Sequence, residues 1–169
     1  MQLKEIDKAI YRNHLNRVML AAIIILLTLS LGVSTILIAL IGNAEGSNLA
    51  LNTVGVVVGA ITIGLLLYYF QHHPYMNEVM YVWRLKQELN RIYRKSAKVK
   101  AALEGNNIAA LVITNFNLKG SSQLYELDDN DLTSAELKQE IIAFDNKIQS
   151  LGLTISTDDY HKRLLNELN

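Results

Sequence analysis

The sequence contains no cysteine and a single proline, Pro74, and it places no charged residue between Val18 and Ile41 or between Leu49 and Phe70. Without cysteine, disulfides, thiolate nucleophiles and cysteine-ligated metals are excluded. Histidine is also missing from both uncharged runs, which argues against a proton relay, pump or voltage sensor, since these place ionisable groups within the bilayer. No phosphate-binding GK[ST] loop is present, because Lys119-Gly120-Ser121-Ser122 departs from that arrangement and is read as a turn. The acidic stretch from Leu124 to Asp131 lacks the central glycine and closing glutamate of a calcium loop. No catalytic residue, cofactor site or metal site is therefore expected.

What is present is apolar length. Val18 to Ile41 and Leu49 to Phe70 would reach roughly 36 and 33 Å as helices, enough to cross a hydrocarbon core of about 30 Å. Gly42-Asn43-Ala44 loosely resembles a signal cleavage site, but the preceding run is far longer than a signal core. A short polar loop, Gly42 to Asn48, joins the two runs and carries Glu45 with no Lys or Arg. Lys4, Lys8, Arg12 and Arg17 precede the first run, and Arg84, Lys86, Arg91, Arg94, Lys95, Lys98 and Lys100 follow the second. Positive charge stays inside, so both termini are expected in the cytoplasm.

The formal charge of zero hides a split. Residues 1–100 hold eleven Lys and Arg against five Asp and Glu, and residues 101–169 reverse those numbers. A basic half beside the bilayer points to anionic lipid headgroups as partners, and the two halves could also attract each other.

The expected fold class is all-α, a two-span transmembrane helical hairpin with a cytoplasmic amphipathic helical bundle. The expected divisions are residues 1–17, an amphipathic surface helix with Leu3, Ile6 and Ile10 on one face; residues 18–70, the hairpin; and residues 71–169, the helical tail. Within the spans, Gly55 and Gly59, Ala60 and Gly64, and Ser30 and Ser34 stand four apart, the spacing that lets helix backbones approach closely. Such faces serve the hairpin itself or a homo-oligomer. Asn52, Thr53 and Thr62 would line a pore if several subunits formed a channel, though hydroxyls can equally bond their own backbone.

Tyr68, Tyr69, Phe70, Tyr75, Tyr81 and Trp83 read as an interfacial aromatic belt, and Pro74 should break the helix near His73. A long helix is predicted from Tyr75 to Glu104, with Val82, Leu85, Leu89, Ile92, Val99 and Leu103 as a seam interrupted at Ser96. That seam packs on later helices of the chain or on another copy. Its basic face suits solvent, anionic lipid or the acidic tail better than nucleic acid. Ile108 to Phe116 suits a short buried helix, although Val112-Ile113-Thr114 would also suit a strand. Thr133 and Glu136 form a capping box for a helix with Leu137, Ile141, Phe144, Ile148 and Leu151 on one face. Ser156 or Thr157 should cap a final helix with Tyr160, Leu164, Leu165 and Leu168 inward.

The opening MQLKEIDKAIYRNHLNRV, the hairpin and GSSQLYELDDNDLT together resemble an uncharacterised bacterial family of small two-span inner-membrane proteins. The resemblance implies a bacterial inner membrane and carries over no activity. The functional expectation is a non-catalytic, membrane-anchored interaction protein that self-associates and offers its tail to a protein partner, with an oligomeric channel as the alternative.

Overall fold

The computed structural model describes residues 1–43, 46–130 and 134–168. Among these the chain is helical and contains no strand. The helices are α1 (Lys8–Ile41), α2 (Leu49–Phe70), α3 (Asn77–Arg94), α4 (Ser96–Glu104), α5 (Ile108–Leu127), α6 (Ser134–Ser150) and α7 (Leu164–Glu167), with 3-10 turns at Pro74–Met76 and Thr157–Asp159. They form two compact units, residues 9–80 and residues 1–8 with 81–169.

In the first unit, α1 and α2 are both long and apolar enough to cross a membrane, and among their residues only Tyr11, Ser34, Gly55 and Gly59 are buried. Going up α2 from Gly55 to Gly59, the facing residues on α1 go down from Ser34 and Ser30 to Leu26, so the helices run antiparallel. Asn48 closes the tip by accepting from the Asn43 amide (3.1 Å) and donating to its carbonyl (3.3 Å). Glu45 lies outside the described residues. The α2 helix ends four residues before Pro74, and His73 Nδ1 then accepts the Tyr75 amide at 3.2 Å, which starts the 3-10 turn. The chain folds back there onto the base of α1, where the His14 ring lies tilted against Tyr75 (3.8 Å between ring centres) and contacts Glu78 at 3.2 Å.

The second unit is a small helical bundle around α5, whose Ala110, Leu111, Ile113 and Phe116 are wholly buried. Leu111 and Leu118 of α5 pack with Phe144 and Ile148 of α6, and Leu103, Leu137, Ile141, Leu153 and Ile155 border this cluster. Lys119 on α5 pairs with Asp145 on α6 at 3.0 Å.

Several expectations are corrected. Residues 1–7 are not helical, and α1 runs unbroken from Lys8 through the apolar run. No separate surface helix precedes it, because residues 1–8 fold into the second unit. The long helix predicted from Tyr75 begins only at Asn77 and breaks at Lys95, beside the Ser96 interruption of the seam. Lys119-Gly120-Ser121-Ser122 is no turn but the interior of the continuous helix α5. The strand alternative at Val112-Ile113-Thr114 falls with it. Asp128 caps α5 and pairs with Lys86 at 2.8 Å, while Asp129 pairs with Lys8, so these charges bind the basic half of the chain. The capping box at Thr133 lies outside the described residues. Instead of one closing helix there is a 3-10 turn, capped by Ser156 with Asp159, and a four-residue α7. Leu151 is exposed rather than inward.

Candidate functional site

The small residues of α1 and α2 fall into two groups. Gly55 and Gly59 are buried at the α1–α2 contact: a Cβ at Gly55 would stand 2.5 Å from the Ser30 carbonyl oxygen, and one at Gly59 would stand 3.1 Å from Leu26. Ser34 is buried beside Gly55 and donates its hydroxyl to Asn52 Oδ1. Ala60 is exposed, and a Cβ at Gly64 or Gly32 would meet nothing within 4 Å. The first group brings backbones together within the hairpin, and the second faces outward. Thr53 donates to the Leu49 carbonyl and Thr62 to that of Val58, both at 2.9 Å.

The seam residues Val82, Leu85, Leu89, Ile92 and Val99 are buried in the chain's own bundle, and Leu103 packs against the α5–α6 cluster. The same face of α3 carries a carboxylate. Glu88 follows Leu85 by three and precedes Ile92 by four, and only 2% of it is exposed. Its Oε1 accepts from the Tyr160 hydroxyl at 2.7 Å, and its Oε2 accepts from Arg91 at 2.8 Å with Lys162 at 3.6 Å. Tyr160 lies stacked on Phe116, with ring centres 4.1 Å apart and planes at 16°. Burial, reinforced by the neighbouring Glu88 charge, pushes the Tyr160 phenol well above its ordinary pKa, with Arg91 opposing. The segment after α6 is held by this contact and by Lys95, which donates to the Leu165 carbonyl at 2.7 Å.

The opening segment is tied to the same unit. The Lys4 amide donates to Tyr81 Oη (2.8 Å), Tyr81 donates to Gln123 Oε1 (2.8 Å), and the Gln123 amide donates to the Lys4 carbonyl, closing a ring. Tyr81 is therefore not part of an exposed aromatic belt; burial raises its pKa although both hydrogen bonds oppose the shift. Tyr68, Tyr69 and Trp83 are exposed. His73 is occupied as a cap.

Neither Glu88 nor Tyr160 stood out as a functional residue in the sequence. The available signal was a carboxylate set within an apolar stripe, since a buried acid requires partners.

The class so defined is an all-α protein in which a long apolar hairpin interrupts a helical bundle built from the chain on both sides of it. Residues 1–165 match the model of a family described as Protein of unknown function (DUF3087), and the chain belongs to that family. Neither the curated proteins nor the solved structures yield a match.

Proposed function

We propose that the protein is a non-catalytic, membrane-anchored interaction protein of the bacterial inner membrane, with α1 and α2 spanning the bilayer and both termini in the cytoplasm. The observation that carries this reading is the joining of residues 1–8 to residues 81–169 in one unit through the Lys4–Tyr81–Gln123 ring and the Lys8–Asp129 pair. Stretches that fold together must lie on the same side of any membrane the intervening helices cross. For helices long and apolar enough to cross, that favours two crossings over one independently of charge, and the Lys and Arg on both flanks favour the cytoplasmic side. The same charges favour anionic headgroups beside the bilayer.

With Gly55 and Gly59 taken up inside the hairpin, the outward Gly32, Ala60 and Gly64 are the surfaces through which copies would associate. The bundle is then displayed to a protein partner at the membrane surface. This reading is favoured over a channel because Thr53 and Thr62 bond their own helix and Asn52 accepts from Ser34.

The cysteine-free sequence makes the test direct, since one introduced cysteine is a unique label. Ser47→Cys should react with an impermeant maleimide from outside intact cells, and Gln149→Cys only after lysis. The reverse pattern overturns the orientation, and recovery of the protein in the aqueous fraction overturns the anchoring. Light scattering in mild detergent should give a mass above the monomer that falls in Gly64→Leu. A strictly monomeric wild type removes the self-association.

A further inference from the structure

Beside the Glu88 network, the bundle contains a cleft of about 580 Å³. Lys4 from the opening segment, Arg84 and Arg91 from α3, and Lys162 from the closing segment line it, so three separate stretches of chain bring four cations to one concavity. Arg84 and Arg91 are seven residues apart, two turns along one helix face. The acidic residue in the lining is Glu88, whose Oε2 is already shared between Arg91 and Lys162. Trp83 adds an exposed indole at the edge.

Four cations against one carboxylate leave the lining net positive, and a concave wall with such an excess focuses its field outward, which favours an anion there. Guanidinium groups match the geometry of phosphate oxygens through paired N–H donors, while lysines add charge without directional demand. Arg91 spends one terminal nitrogen on Glu88 and is 47% exposed, which leaves the rest of its fork open to the cleft. Among the described residues, Lys4 contributes only its backbone to the hydrogen-bonded ring and makes no ion pair.

We infer that this cleft binds a phosphate group, held by Arg84 and Arg91 with Lys4 and Lys162 completing the charge, and with Trp83 against the moiety that carries the phosphate. Two sources offer this chemistry, the headgroup of an anionic phospholipid and a soluble phosphate compound. The lipid source rests on the proposed membrane anchoring; the soluble source does not.

Trp83, the single tryptophan, reports on the cleft by its fluorescence. The full-length protein in a neutral detergent is titrated with inorganic pyrophosphate, and in phosphatidylcholine nanodiscs with increasing phosphatidylglycerol. A saturable change is expected in at least one arm, weakened by salt. Arg84→Gln or Lys4→Gln should weaken it about tenfold, the size of one lost charge-assisted hydrogen bond. Arg84→Lys should restore part of the loss, and Lys98→Gln and Lys100→Gln, outside the cleft, should leave it unchanged. A response to phosphatidylglycerol alone identifies the lipid headgroup, and a response to pyrophosphate identifies a soluble phosphate. No saturable response in either arm, or equal weakening by cleft and control substitutions, overturns the site. A protein that stays in solution without detergent defeats the anchoring but leaves the pyrophosphate titration as a complete test of the cleft.

Discussion

Removing one hydroxyl, in Tyr160→Phe, tests whether the buried Glu88 contact holds the closing segment in place. The phenyl ring keeps its place against Phe116, so the apolar burial and the 4.1 Å stack survive. What is lost is the 2.7 Å bond to Glu88 Oε1. That oxygen belongs to a side chain only 2% exposed, so water cannot easily replace the donor. A hydrogen bond to a charged group contributes about 1.5–3 kcal/mol, and the full range applies here because the acceptor stays buried and loses its partner. The Lys162 contact is weaker by comparison. Lys162 is 63% exposed and stands 3.6 Å from Oε2, an oxygen that keeps its 2.8 Å bond from Arg91 when Lys162 is removed. Tyr160→Phe should therefore destabilise the bundle more than Lys162→Gln does. In a domain of this size each kcal/mol moves the melting temperature by about 4–8 °C, so the expected drop is on the order of 10 °C. Trp83 lies in the same unit and gives a unique fluorescence signal for its unfolding in mild detergent. A loss below about 0.5 kcal/mol, the scale of an ordinary surface substitution, would refute the reasoning. Equal losses for Tyr160→Phe and Lys162→Gln would do so as well.

Gly55→Leu should weaken the hairpin by about 1–3 kcal/mol, because its Cβ would stand 2.5 Å from the Ser30 carbonyl oxygen and 3.1 Å from Ser34 Cβ. Gly64→Leu, with open space around it, should leave the hairpin intact when both are compared by denaturation in detergent. Alkaline pH should unfold the bundle: the Tyr160 and Tyr81 phenols are raised above the ordinary value of 10.0, so the unfolded chain releases their protons first. Their contribution is complete below pH 10 and is lost as pH climbs above it, at up to about 1.4 kcal/mol per pH unit for each group. Replacing Tyr160 by Phe should flatten that slope, and an unchanged slope counts against the raised phenol. Gly152 has a φ of +67°, so Gly152→Ala should cost about 1–2 kcal/mol in a melt although no atom lies within 4 Å of the new methyl.

The apolar hairpin, the seam of α3 and the inward face of α6 were legible because each is a local pattern repeated over several turns. Gly120 was misread for a physical reason. Next to two serines a glycine looks like turn chemistry, but here it is buried in α5, and a Cβ would come within 3.3 Å of Leu85 and Leu89. Its role is close helix contact, which depends on the neighbour rather than on the local sequence. Glu88 was illegible for a related reason: its stabilising partner Tyr160 lies 72 positions away. The opening segment shows the limit most clearly. Leu3, Ile6 and Ile10 carry a helical period, yet residues 1–7 are not helical, and Lys4 bonds Tyr81 and Gln123 at separations of 77 and 119 residues. In a membrane-crossing chain those partners can be reached only if the hairpin returns it to its starting side. If α1 and α2 cross a bilayer, the short ring of hydrogen bonds at Lys4 imposes on them a constraint that hydropathy alone cannot supply. An odd number of crossings would separate its donors from its acceptors by the thickness of a bilayer. Lys4→Pro, which removes the amide that donates to Tyr81, should loosen the opening segment while leaving the hairpin helices intact, because the ring closes within the bundle and no atom of it belongs to α1 or α2.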